Sequence, residues 1–288
     1  MSNLEQENKK LKAQLITAKR ELGQRNEQLT EKVKDHEDSV SYAKRIQVAM
    51  MQPEYGVKER LPDSFIIFKP KDVVSGDFYY VGHNTEDNDL VVFSAIDCTG
   101  HGVPGALLSI IGFNFIQQAV REKGLTKPSD ILTFLDDSVN RMLRQTGRES
   151  GVQDGMDLAL CTLNKKTLEV QYAGAYNSMY YVTNNELHEI KADRSPIGVN
   201  ESGIPDVYTN HVVKLKKGDT IYLLSDGYAD QFGGNKGSKF KYKPLRELLL
   251  TIQGDSMEQQ KRKLERAFTD WKGAYDQVDD VLIIGVKV

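Results

Sequence analysis

Three strand-like apolar runs meet an aspartate at one end, and this pattern limits the fold more than any other feature of the chain. Residues 91–96 run into Asp97, residues 220–224 run into Ser225-Asp226, and Asp279-Asp280 opens the run 281–286. A fourth aspartate, Asp77, stands in Ser75-Gly76-Asp77, just before the apolar stretch 78–81. Short apolar runs bounded by turn residues read as strands. Carboxylates at the tips of neighbouring strands repel one another in a low-dielectric site unless cations sit between them. The set is all-oxygen, with no accompanying group of Cys or His, which points to Mg²⁺ or Mn²⁺ rather than zinc. The chain reads as a metal-dependent enzyme.

The first fifty residues differ in kind. They hold no proline and one glycine, Gly23, and are dominated by Glu, Lys, Gln, Leu and Ala. Leu4, Leu11, Leu15, Leu22, Leu29, Val33 and Val40 are spaced 7, 4, 7, 7, 4 and 7 apart, an apolar seam in heptads broken by four-residue insertions. A lone helix with so narrow a stripe holds itself together poorly. The spacing therefore predicts a coiled coil between two copies of the chain, with a solvated single helix as the alternative. Pro53 stops the helix. The expected division is a dimerising, regulatory linker helix over residues 1–52 and a catalytic domain over 53–288. Stutters give a coiled coil near-isoenergetic registers, and a change of register is a route by which this helix would set metal affinity downstream.

Past residue 64 the pattern mixes strands and helices. Strands are expected at 65–68, 78–81, 90–96, 158–163, 168–173, 179–183, 186–191, 207–215, 220–224 and 281–286. Helices are expected at 104–121, 128–144, 243–252 and 256–271, the last opened by a Ser256/Gln259 capping box. Polar turns at 84–88, 164–167, 184–185 and 216–219 join the strands. Antiparallel hairpins with helices in two blocks define an α+β layered domain.

Several classes are excluded. A net charge of -3 gives no general case for nucleic acid or an anionic membrane surface. Cys98 and Cys161 show no close pairing and argue against a disulfide-built secreted fold. No apolar run approaches the roughly 20 residues that span a bilayer, and no signal-peptide core is present. A cytoplasmic location without membrane insertion is expected. His36, His83, His188 and His211 are scattered without ligand spacing.

The acidic motifs also carry a family resemblance. Lys69-Pro70 followed by Val73-Val74-Ser75-Gly76-Asp77-Phe78-Tyr79, then Asp97-Cys98-Thr99-Gly100-His101-Gly102-Val103-Pro104-Gly105-Ala106, resemble the first two motifs of SpoIIE-like PPM (PP2C-type) serine/threonine phosphatases. Ser225-Asp226-Gly227 and Asp279-Asp280-Val281 resemble the later metal motifs, and Tyr172-Ala173-Gly174-Ala175-Tyr176-Asn177 and Ser195-Pro196-Ile197-Gly198 match weaker signposts in the expected order. The resemblance implies an αββα sandwich of two antiparallel sheets flanked by helices, holding two divalent cations, Mn²⁺ or Mg²⁺. It implies that Asp97 bridges the metals, that the Cys98 backbone carbonyl binds one, that Asp226 and Asp279 complete one shell, and that Asp77 acts at the other. It places Asp280 behind the ligands, and puts Asp157, or Asp154 beside it, near a third, weaker site. His101 follows Asp97 with two residues more than the spacing of mammalian-type relatives, so it is either a general acid or a structural loop histidine. No counterpart of those relatives' phosphate-binding arginine is present; Lys69 and Lys71 are the candidate substitutes. The implied activity is hydrolysis of phosphoserine or phosphothreonine, with a STAS-type anti-sigma-factor antagonist as substrate in partner switching. A catalytically silent, phosphoprotein-binding relative on a coiled-coil scaffold is the other reading.

Overall fold

The computed structural model describes residues 3–83, 89–143, 154–198 and 206–288. The chain divides into two compact units, residues 1–45 and 46–288. The described residues of the first, 3–45, are helical and belong to α1 (Asn3–Met50). Its seam residues Leu4, Leu11, Leu15, Leu22, Leu29 and Val33 are all exposed.

The second unit begins with the last turn of α1. Pro53 then caps α2 (Glu54–Arg60), followed by β1 (Ser64–Lys69), β2 (Phe78–His83) and β3 (Leu90–Cys98). Helix α3 (Gly102–Gln117) continues as a π-helical turn over Gln118–Glu122 and leads to α4 (Pro128–Leu143). Five strands follow: β4 (Met156–Asn164), β5 (Glu169–Ala175), β6 (Met179–Thr183), β7 (Glu186–Ile190) and β8 (His211–Lys214). Then come β9 (Thr220–Leu224), α5 (Gly227–Asp230), the small hairpin β10 (Phe232–Gly233) and β11 (Ser238–Lys239), α6 (Tyr242–Thr251), α7 (Met257–Lys272) and β12 (Val281–Lys287).

Two five-stranded antiparallel sheets result, ordered β1-β12-β9-β6-β7 and β2-β3-β4-β5-β8. Their facing sides share one core, in which Phe93, Cys161 and Tyr172 meet Ile221, Leu223 and Ile284. The outer side of the second sheet, with Phe78, Ile96 and Leu158, packs on Ile116 of α3 and Leu135 of α4. The outer side of the first, with Phe65, Tyr222 and Ile283, packs on Leu249 of α6 and Phe268 of α7. The fold is therefore a four-layer αββα sandwich, as expected. Burial on both faces explains why β3, β9 and β12 are continuous apolar runs and not alternating ones. Each fully buried Leu, Ile or Phe contributes about 1.5–3 kcal/mol.

Local signals mostly land where they should. Asn184 and Asn185 make the two-residue turn with φ of 51° and 60°, and Ser256 and Gln259 close the capping box. Two expectations need correction, and one hairpin had none. The strand at 207–215 shrinks to β8, because Thr209 gives its N–H and hydroxyl to the Asp193 carboxylate instead of a neighbouring strand. The hairpin β10-β11 left too short a pattern to read. The stretch Gly102–Glu122 does reach the length and composition of a membrane span, alone among the described helices, but half of it is buried and its apolarity serves packing on the sheet and α4. The turn expected at 84–88 and residue 144 lie outside the described residues.

One buried polar contact fixes the chain entering the domain. Gln47 in α1 donates through Nε2 to the Ser75 carbonyl at 2.6 Å and to Ser109 Oγ at 2.9 Å, and accepts from the Ser75 N–H at 3.1 Å. Truncation strands both backbone groups of Ser75 out of water, at about 1–3 kcal/mol for each unsatisfied group. Gln47→Ala is expected to lower unfolding free energy in urea by about 3 kcal/mol; a loss under about 1 kcal/mol would show that water replaces the amide.

Candidate active site

The aspartates are brought together by strand register. Phe78 pairs with Ile96 and Asp97 with Asp157, so Asp77, Asp97 and Asp157 share one end of the β2-β3-β4 ladder. Leu224 pairs with Ile283, which sets Asp226 and Asp279 side by side at one end of β9 and β12. Ser225 joins the two sheets at this point: its hydroxyl oxygen accepts from the Leu282 N–H at 3.0 Å and donates to Asp77 Oδ2 at 2.6 Å.

A cavity of about 220 Å³ opens here, lined by Asp97, Asp157, Asp226 and Asp279 and the loop Cys98 to His101. Asp77 lies beneath it, 1% exposed, hydrogen-bonded to Asp97. Burial holds both carboxyls well above the usual range, and neighbouring carboxylates add to it. Burial, then Asp226, pushes Asp157 up to about 6, and burial, then Asp279, pushes Asp226 up to about 6. Asp279 is raised as well, by burial first. The lining contains no Lys or Arg, so the protein itself supplies little to balance this charge. An oxygen-only donor set of this charge fits hard divalent cations. Among the described residues no three His, Cys, Asp or Glu side chains already stand at metal-holding separation; the carboxylates converge without closing into a finished cage.

Close backbone packing explains the motif glycines. A Cβ on Gly76 would lie 2.4 Å from the Gly100 carbonyl oxygen and 3.0 Å from that of Cys98; one on Gly105 would lie 2.2 Å from the Gly100 oxygen. The loop that follows Asp97 is thus clamped between the Asp77 loop and the first turn of α3, with the Cys98 carbonyl facing the Asp77 side. Thr99 pins its other flank, its N–H and hydroxyl both meeting Gly155. Asp280 is 3% exposed and accepts from the Lys71 and Gly76 N–H groups, each at 2.7 Å. It shapes the loop that carries Asp77.

His101 Nδ1 meets Asp72 Oδ2 at 2.6 Å and its Nε2 meets Lys71 Nζ at 3.0 Å. A lysine ammonium only donates, so Nε2 accepts and Nδ1–H donates to Asp72. In this arrangement Lys71 presents the proton at Nε2, and histidine would need a second proton to act as an acid. Lys69 departs from expectation: its Nζ lies 3.6 Å from Glu265 on α7, whereas Lys71 lies behind the lining and contacts it through His101. Asp154 does not line the cavity. Asp72 and Gln47 escaped sequence reasoning, since neither has a local pattern and each works through a partner far along the chain; Ser225 stands in the Ser225-Asp226-Gly227 motif, but its bond to Asp77 has no local signal.

An αββα sandwich with an acidic cleft where its two sheets end is the architecture of PP2C-type phosphatase domains. The family model for stage II sporulation protein E (SpoIIE) matches residues 87–288, and the chain belongs to that family. Among solved structures, the SiaA-PP2C domain of Pseudomonas aeruginosa is 31% identical with a TM-score of 0.79, covering 88% of this chain and 98% of that one. The PP2C domain with a regulatory fragment of SpoIIE from Bacillus subtilis is 14% identical (TM-score 0.60, 78% and 63% covered). The RsbU and RsbW domains of Rv1364c from Mycobacterium tuberculosis are 18% identical (TM-score 0.61, 79% and 60% covered). The latter two share the fold. No curated protein sequence matches the chain.

Proposed function

We propose that this is a cytoplasmic, metal-dependent protein phosphatase that hydrolyses phosphoserine or phosphothreonine, with a phosphorylated STAS-domain anti-sigma-factor antagonist as substrate. The convergence of Asp77, Asp97, Asp226 and Asp279 from four strand ends carries this reading. Asp97, the Cys98 carbonyl, Asp226, Asp279 and Asp77 would hold two cations, Mn²⁺ or Mg²⁺, and Asp157 would hold a third. Bound there, the cations supply Lewis-acid activation of water and offset charge on the phosphoryl oxygens. The chain's own groups do the rest. Asp280 and the glycine clamp hold the ligand loops in place, and Lys71, set against His101 and through it Asp72, would be the proton donor at the rim. Likeness in fold to a protein joining RsbU and RsbW domains supports the partner-switching substrate. The test is hydrolysis of p-nitrophenyl phosphate and a phosphothreonine peptide in a Mn²⁺ titration. Activity that chelation removes and Mn²⁺ restores is expected; inactivity on both at saturating Mn²⁺ overturns the reading.

The exposed seam of α1 is proposed to pair with a second copy, and the helix to regulate metal affinity. Light scattering at tens of micromolar is expected to give a homodimer, and Leu22→Glu with Leu29→Glu a monomer with a changed half-activating Mn²⁺ concentration. A wild-type monomer refutes the pairing; unchanged metal dependence leaves the helix a tether.

A further inference from the structure

Beside the acidic cleft is a second cavity, about 380 Å³, with a different chemistry. It starts where β5 ends: Ala175 pairs with Leu158, the neighbour of Asp157, and the next two residues, Tyr176 and Asn177, form one wall. Tyr176 has φ of 59°, a conformation that a residue with a side chain holds only where its surroundings impose it, and one that clusters at binding sites. Three bonds impose it here. The Tyr176 N–H donates to the Asp193 carbonyl at 2.9 Å, the Asn177 N–H to the Ala175 carbonyl at 2.7 Å, and the Tyr172 hydroxyl to the Asn177 carbonyl at 2.7 Å. The result leaves the Tyr176 ring half exposed at the rim and Asn177 only 9% exposed. The Asn177 Nδ2 donor has no hydrogen-bond partner, an omission that calls for an explanation in a buried group.

The opposite wall carries Lys191, Tyr242, Arg246 and Glu189. Glu189 is committed, since Arg246 lies 3.0 Å away and the Tyr180 hydroxyl also donates to it. Lys191 has no ion-pair partner among the described residues. The cavity therefore has donors to spare and one unbalanced positive charge. Its complement is an acceptor bearing negative charge.

We propose that this cavity receives the carboxylate of an aspartate or glutamate lying within a few residues of the phosphorylated residue in the protein substrate, with Asn177 and Lys191 as its donors. The proposal rests on the phosphatase reading and deepens it: the cleft takes the phosphate, and the neighbouring cavity selects the sequence around it. An extended segment advances about 3.3 Å per residue, so only certain offsets can place both groups at once.

The test uses the full chain with phosphothreonine peptides in which one glutamate is walked from three residues before to three residues after the phosphate, against the same set with lysine. At one or two offsets, kcat/KM is expected to favour glutamate by about tenfold, the weight of one charge-assisted contact. Lys191→Glu is expected to remove or reverse that ratio at those offsets only, and Asn177→Ala to shrink it. No offset preference in the wild type, or the same ratio in Lys191→Glu, overturns the proposal. Anisotropy of the labelled peptides in Mn²⁺ buffer reads the cavity without turnover. Glutamate-selective binding with no hydrolysis of any substrate would remove the phosphatase reading and keep the cavity, whereas hydrolysis with equal binding of both sets would do the reverse.

Discussion

Asp97→Asn is expected to abolish Mn²⁺-dependent hydrolysis and, at pH 8 in chelator, to raise the melting temperature. Both effects have one origin. Asp97 sits against Asp77 and near Asp226 and Asp279, and burial together with those charges raises its pKa. A carboxyl whose pKa is higher folded than unfolded stabilises the fold when protonated and costs stability as pH climbs from about 4 towards the folded value. Asparagine keeps the shape and removes that cost. It also removes the ligand expected to be shared between cations, worth several kcal/mol in the transition state; kcat/KM should fall by at least about a thousandfold, since each 1.36 kcal/mol is a factor of ten. Wild-type protein should gain stability from Mn²⁺ in proportion to the logarithm of its concentration over Kd, and the variant much less. Near-wild-type turnover at saturating Mn²⁺ would release Asp97 from this role.

Gly105→Ala carries the second large effect. Its Cβ would stand 2.2 Å from the Gly100 oxygen and 2.8 Å from the Gly76 Cα. Both obstacles are backbone, so no rotamer change relieves them, and the Asp97 loop must part from either α3 or the Asp77 loop. Overpacking of this kind costs about 3 kcal/mol or more, roughly 6–12 °C in melting temperature for a domain of this size. Mn²⁺-dependent activity should fall with it. Gly124→Ala is the comparison: φ is +66° but nothing lies within 4 Å, so only a backbone penalty of about 1–2 kcal/mol applies. If calorimetry gives the two variants equal losses, the clamp is not what Gly105 is for.

Much of the sandwich was readable because its strands are short apolar runs separated by turn residues, as at Asn184-Asn185, and because α7 announces itself with Ser256 and Gln259. The acidic motifs stood out for the same reason: each sits at a strand boundary, where local pattern is strongest. What stayed hidden depends on distant partners. Nothing near Gln47 signals that Ser75 and Ser109 will close around it. Nothing near Lys69 signals that Glu265 will hold it, while Lys71, two residues on, turns to His101. The second cavity is the extreme case, since its walls come from the end of β5, the end of β7 and α6, and its strained Tyr176 looks ordinary in sequence.

The pairing of β12 also imposes a timetable. This strand lies between β1 and β9, and Asp280 ties down an amide 209 residues upstream at Lys71. At a translation rate of roughly 5–20 residues per second, β1 waits on the order of ten to forty seconds for its neighbour. Until then β1 and β9 are open edges, the kind of surface that recruits other chains. A nascent or nicked chain stopping before Asp279 lacks both an interior strand of one sheet and one corner of the acidic cluster. Broken products therefore carry an incomplete acidic cluster together with open strand edges, the kind of surface that chaperones and proteases meet first.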